Sequence, residues 1–273
     1  MNVYIEILRP INALMATIAV IIVAIISKNF GFNVILGSLI VFLVTGAGNV
    51  INDYFDREID MINKPNRPIP SGRIKAKIAL IYSLALFLIA VFLSFLLRPI
   101  ITFIVIVAEA LLILYAYKLK RKCLIGNVVV SFLTSLTFIF AGIIVNLFLT
   151  SFYIAIFAFL MTMAREIVKD IEDIEGDKVM GAKTMPIVYG TEISGKTAAI
   201  LIILTALLSP VLYLLKIFGN LYILFLSFAI ILFLKSAFDI FKKQDKKTAR
   251  QTSKYLKIGM IITFLAFIAG SIA

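Results

Sequence analysis

The chain has 273 residues, 62% of them hydrophobic and 15% charged, with a mean hydropathy of +1.08. A soluble domain carries roughly 45–50% apolar and about 25% charged residues and has no interior able to hide such an excess, so a soluble enzyme and a disordered chain are both excluded. Lysine and arginine exceed the acids by 12, yet they flank apolar runs and form no single stripe, which favours cytosolic loops over nucleic acid.

No histidine is present and Cys123 is the only cysteine, which removes His-based catalysis, His-ligated metals and internal disulfides. A bilayer core of about 30 Å takes roughly 20 apolar residues as helix. Runs of this kind lie at 10–27, 34–52, 76–97, 100–117, 124–149, 151–168, 197–217, 220–241 and 256–272. They predict an all-α polytopic membrane protein of nine transmembrane helices, a single integral-membrane domain over 1–273. Pro99 separates the third run from the fourth, and Gly219-Asn220 the seventh from the eighth. Glu6 ahead of the first run, and eight spans behind it, favour a retained span over a cleaved signal. With nine spans, one side of the membrane collects 24 Lys and Arg and the other only Lys28, Arg98 and Lys216. This asymmetry predicts a cell-membrane protein with a cytoplasmic N-terminus.

The acids are concentrated. Four lie within 53–60 and six within 166–177, ten of the fifteen in all. Each group closes a span running toward the cytoplasm, the second and the sixth. Asn49, Asp53, Asp56 and Asp60 stand at offsets 0, 4, 7 and 11, and Glu166, Asp170, Asp173 and Asp177 repeat those offsets. At 100° per residue each set forms one stripe on a helix face. Basic residues and a proline follow both stripes (Lys64, Arg67, Pro68; Lys178, Lys183, Pro186), consistent with a parallel internal duplication. A lone acid at a helix end is ordinarily a solvated or lysine-paired group. Two matched stripes of mutually repelling carboxylates make sense when a cation spreads across them. Oxygen ligands without His or Cys point to Mg²⁺, which shares substrate phosphate oxygens. Arg57, Arg67, Arg73, Lys118, Lys120 and Lys183 stand nearby and suit the remaining phosphate oxygens; each is otherwise ordinary cytosolic charge. Together these residues describe a diphosphate site in the segments 49–73 and 166–186.

The segment from Asn52 through Asp53 and Asp56 to Asp60 resembles the NDxxDxxxD motif of the UbiA superfamily of intramembrane prenyltransferases, and Asp173 to Asp177 resembles its second motif, DxxxD. The resemblance covers essentially the whole chain. Arg9-Pro10-Ile11-Asn12, the run from Tyr115 to Lys120, Gly126-Asn127 and the run from Lys169 to Asp177 are most similar to the archaeal branch that builds ether lipids. The resemblance implies nine helices around a central cavity opening to the cytoplasmic side. It also implies Mg²⁺ held by Asn52, Asp56 and Asp60 on one wall and by Asp173 and Asp177 on the other. Asn49, Asp53 and Asp170 belong to the same edges as candidate substrate-binding groups. The implied reaction moves a geranylgeranyl group from its diphosphate to the glycerol hydroxyl of geranylgeranylglyceryl phosphate. Donor and acceptor arrive from the bilayer, membrane lipids are the surroundings, and nucleic acid has no part.

Further candidates have two readings each. Tyr115 and Tyr117 either stabilise cationic charge through their ring faces or form an interfacial belt. Glu109, mid-span between Ala108 and Ala110, is either functional or a structural acid bonded to a neighbour such as Asn127. Arg9 and Asn12 are candidates for the acceptor headgroup, with a bond between helices the plainer role for Asn12. An aromatic or haem acceptor is the alternative within the enzyme class. A cation transporter is the alternative outside it, disfavoured because both stripes end spans of the same direction.

Overall fold

The computed structural model describes residues 2–179 and 181–272. Every regular element among them is helical, and nine helices are long and apolar enough to cross a membrane. Contacts divide the chain into two compact units, residues 1–120 with 136–148, and residues 121–135 with 149–273.

The first unit contains α1 (Val3–Ile7), α2 (Pro10–Ser27), α3 (Phe32–Phe55), α4 (Arg57–Asn63), α5 (Ala76–Ser94) and α6 (Pro99–Tyr117); a short 3₁₀ turn at Leu119–Arg121 follows α6. α3 is the centre of the unit and packs against α2, α5 and α6. Gly46-Ala47-Gly48 gives α3 its close approaches, as small residues do between helices in lipid. A Cβ on Gly48 would come within 3.1 Å of Leu112, and one on Gly46 within 3.0 Å of Leu8. Ser83 on α5 donates to the Ala47 carbonyl at 2.9 Å. The chain turns from α1 into α2 through Arg9, whose φ of 50° is left-handed, with Pro10 opening the helix where its missing N–H costs nothing. Asn49 holds that turn by donating to the Leu8 carbonyl at 2.9 Å.

The second unit contains the later elements. α7 (Ile125–Ile144) contributes its first half to this unit and its second half to the first. Then come α8 (Phe148–Glu172), α9 (Ile174–Val179), α10 (Met185–Tyr189), α11 (Thr191–Leu208), α12 (Val211–Leu214), α13 (Asn220–Lys242) and α14 (Lys246–Ile272). Its core joins Ala164, Ile167, Val168 and Ile171 of α8 to Ile202 of α11, Phe233 and Ile240 of α13, and Leu256 of α14. Tyr222 is fully buried and donates its hydroxyl to the Ser209 carbonyl at 2.7 Å, satisfying a phenol that lipid would leave bare.

Helix ends differ from the expected spans in both directions: α5 ends at Ser94 and α7 at Ile144, short of 97 and 149, whereas α8 and α14 are longer than expected. α8 runs four residues past 168 and α14 begins at Lys246, ten residues before 256. In α8 and α14 backbone hydrogen bonding carries the helix on where the sequence turns from apolar to charged.

Candidate active site

The second and sixth spans carry the acids, and both break at the same point of the motif. α3 ends at Phe55 and α4 starts at Arg57, with Asp56 between them at φ −90° and ψ 0°. α8 ends at Glu172 and α9 starts at Ile174, with Asp173 between them. Hydrogen bonds step across both breaks. The Asp56 N–H donates to the Asn52 carbonyl at 3.0 Å and that of Asp60 to Asp56 at 2.8 Å. The Asp173 N–H donates to Lys169 at 2.9 Å and that of Asp177 to Asp173 at 3.0 Å. The expectation of one unbroken helical stripe is therefore corrected: each acidic edge crosses a one-residue break. Each unit holds one such edge.

In the first unit the edge is laced with cations. Asp53, only 3% exposed, accepts from Arg9 and, at 3.2 Å, from Arg67. The same Arg67 nitrogen donates to Asp60 at 2.5 Å, and Asp60 is 4% exposed. A buried carboxylate is tolerable when paired and hydrogen-bonded, and these two share one guanidinium. Asn52 donates to Asp56 at 3.0 Å, and Lys120 donates both to the Asn52 side-chain oxygen at 3.2 Å and to Asp56. An ammonium thus already bridges the two oxygens that the motif assigns to a metal ion.

Arg57 turns its guanidinium over the Tyr54 ring at 4.9 Å and donates to the Tyr54 carbonyl and to Glu58. Arg73 forms a two-pronged contact with Glu6, at 2.6 and 2.7 Å, and caps the Asn66 carbonyl at 2.7 Å. The Arg73 guanidinium holds the Glu6 carboxyl below its ordinary range. No periodicity marked this pair, because Glu6 and Arg73 lie far apart in the chain. Lys118 caps the end of α6 and is exposed, as are Asn12 and Tyr117. The Tyr117 ring lies 5.4 Å from that of Phe55, and Tyr115 is half-buried.

In the second unit Asn127 of α7 donates to Asp170 at 2.8 Å. Asn127 thereby meets α8 at the level of Asp170. Glu109 is 8% exposed, and its Oε1 has no hydrogen-bond partner among the described residues. Arg165 donates to Glu166 at 2.8 Å. Asp173 is exposed and Asp177 half-buried. Burial pushes the Asp177 carboxyl above the ordinary carboxylate range, Asp173 adds to the rise, and Lys169 opposes it. Burial likewise raises the Cys123 thiol, with a further push from Asp170. Lys183 points its side chain to solvent, while its backbone N–H donates to the Arg121 carbonyl at 3.0 Å.

These residues fit a hard divalent cation. Both edges offer oxygens only. Among the described residues no three of His, Cys, Asp and Glu converge into a ready cage. Mg²⁺ retains waters and completes its shell with substrate oxygens, so it needs few protein oxygens. Asn52, Asp56 and Asp60, and separately Asp173 and Asp177, are the groups able to hold it.

Comparison with known proteins agrees with this chemistry. The chain is 52% identical to the digeranylgeranylglyceryl phosphate synthase of Methanothermobacter thermautotrophicus, over 99% of this chain and 96% of that protein. A solved structure of a digeranylgeranylglyceryl phosphate synthase matches with a TM-score of 0.89 at 40% identity, covering 99% of this chain and 98% of the other. A UbiA homolog from Archaeoglobus fulgidus, bound to GPP and Mg²⁺, shares the fold at a TM-score of 0.67 and 16% identity, over 97% of this chain and 99% of the other. The UbiA prenyltransferase family model matches residues 13–267. Both acidic segments and all nine long helices overlap that match, and the chain belongs to the UbiA prenyltransferase family.

Proposed function

We propose that this chain transfers the geranylgeranyl group of geranylgeranyl diphosphate to the glycerol 2-hydroxyl of geranylgeranylglyceryl phosphate, making the second ether of an archaeal lipid precursor. The observation that carries this reading is the pair of acidic segments broken at Asp56 and Asp173, in a chain 52% identical to a digeranylgeranylglyceryl phosphate synthase. The whole chain, 1–273, acts as one catalytic domain. Its N-terminus and acids face the cytoplasm, on the side that collects 24 of the 27 basic residues.

Asn52, Asp56, Asp60, Asp173 and Asp177 are the proposed metal-holding groups. Bound Mg²⁺ supplies Lewis-acid stabilisation of the departing diphosphate. The chain's own cations add preorganised positive charge for phosphate oxygens: Lys120 and Arg67 at the first edge, with Arg57, Arg73, Lys118 and Lys183 as the outer set. Loss of diphosphate breaks the allylic C–O bond and leaves a delocalised cation. The glycerol oxygen forms the new C–O bond and gives its proton to water or to an acidic oxygen. An electrophile of this strength demands little of a base, in keeping with a chain that has no histidine. An apolar tunnel between helices, open toward lipid, takes the prenyl tail. Arg9, Asn12, Glu109, Tyr115 and Tyr117 are the candidates for acceptor recognition or cation stabilisation.

Purified protein supplied with Mg²⁺ and geranylgeranyl diphosphate tests the proposal, with geranylgeranylglyceryl phosphate and 4-hydroxybenzoate offered in parallel. Ether product with the glyceryl lipid alone is expected. Product with the aromatic acceptor alone overturns the acceptor, and no product with either overturns the activity.

A further inference from the structure

The turns by which α14 exceeds its apolar run carry a second charged stripe, of opposite sign to the first two. Lys247, Arg250, Lys254 and Lys257 stand at offsets 0, 3, 7 and 10, all within about 80° of one helix face. All four are exposed, and they line an open cavity of about 560 Å³. Glu172 of α8 is the only acid on its wall, 3.9 Å from Arg250. Among the described residues no acid pairs with Lys247, Lys254 or Lys257.

Like charges repel at this spacing. The opposite face of the same turns, with Ala249, Thr252, Ser253 and Leu256, is buried, so the helix holds the four cations together. Glu172 lies two residues from Asp170, some 200° around α8. None of Glu166, Asp170, Asp173 and Asp177 lines the cavity.

The cationic stripe continues in line as Ile258, Ile261 and Leu265, exposed by 38%, 55% and 49%. One face of one helix changes from cations to branched aliphatics between Lys257 and Ile258. That is the order in which a lipid presents its phosphate and its chain.

We propose that this face of α14 binds an anionic lipid of the surrounding bilayer, its headgroup phosphate among Lys247, Arg250, Lys254 and Lys257 and its hydrocarbon along Ile258, Ile261 and Leu265. Four cations around one phosphate exceed what a zwitterionic headgroup neutralises, so the site selects net negative charge. The hollow between α8 and α14 distinguishes it from lysines fanned on a flat loop.

The test uses the full-length protein in detergent. Phosphatidylglycerol and, separately, phosphatidylcholine are titrated in, and bound lipid is counted by native mass spectrometry. The parent is expected to prefer phosphatidylglycerol. The double variant Lys254→Gln, Lys257→Gln is expected to bind it about 30-fold more weakly, at about 1 kcal/mol for each juxtamembrane cation. Its phosphatidylcholine affinity stays unchanged, and Lys216→Gln, beside the Gly219 that bonds Gly270 at the other end of α14, behaves as the parent. Inorganic phosphate at millimolar concentration is expected not to displace the lipid. The proposal is overturned if the parent shows no preference or if the double variant binds phosphatidylglycerol as tightly as the parent. Displacement by inorganic phosphate also overturns it, marking a site for small anions.

Discussion

Replacing Asp53 with asparagine preserves its volume and removes one charge from a balanced group. Arg9 and Arg67 face Asp53 and Asp60, and the four are neutral together. Asp53→Asn leaves one net positive charge on guanidinium groups whose side chains are 28% and 22% exposed. Breaking a buried pair from one side costs about 3–5 kcal/mol. The arginines are partly wet, so water recovers some of that loss and the expected destabilisation is about 2–3 kcal/mol. Arg9→Met in the same background restores neutrality, leaving Arg67 with Asp60. The double variant is expected to be at least about 1 kcal/mol more stable than the sum of the single effects. Unfolding in mixed micelles, followed by far-UV circular dichroism, reads both quantities. The reasoning is refuted if Asp53→Asn lies within about 0.5 kcal/mol of the parent, or if the two changes simply add.

Asp56→Ala and Asp173→Ala are each expected to abolish turnover with helicity retained, and full activity in either would remove that residue from the metal site. Lys120→Met takes away the ammonium on Asp56, which a metal ion held by that carboxylate would have to displace. Half-saturating Mg²⁺ should fall while the KM for the prenyl diphosphate rises, and a higher Mg²⁺ requirement would contradict the assignment. A methyl group on Gly270 would stand 2.5 Å from Tyr222 Cβ and 3.2 Å from its Cα, a clash no rotamer relieves. Gly270→Ala should therefore destabilise the protein by about 1–3 kcal/mol in the same unfolding assay. The Glu6 carboxyl is held below its ordinary value of 4.5 by Arg73, so this contact stabilises the fold above that pH and is lost as pH falls through the lowered value. The stability gap between the parent and Glu6→Gln should be present at neutral pH and vanish in acid; a gap that widens in acid would reverse the sign.

Much of the architecture was legible because lipid imposes a length rule and a charge rule on every span. The runs at 10–27 and 220–241 match α2 and α13 to within a residue. The breaks at Asp56 and Asp173 were not legible, since four offsets that share one helix face also tolerate a one-residue interruption. The early start of α14 was hidden for a related reason: Lys246 to Lys257 reads as a loop by hydropathy, while its buried Ala249, Thr252, Ser253 and Leu256 recur at helical spacing. Glu109 was identified by its position alone. The bond that Asn127 makes to Asp170 was not legible, because an asparagine's partner depends on which helix lies across from it.

The amino-acid order by itself determined how many runs are long enough to cross a bilayer, how Lys and Arg divide between alternate loops, and where the acids gather. Each of those follows from local composition meeting the fixed thickness and polarity of lipid. Tertiary structure alone decided which charge answers which: Arg9 reaches Asp53 across 44 positions, Lys120 reaches Asp56 across 64, and Arg73 reaches Glu6 across 67. The Coulomb energy of such pairs depends on distance through space and on the water excluded around them, and neither is recorded in linear spacing.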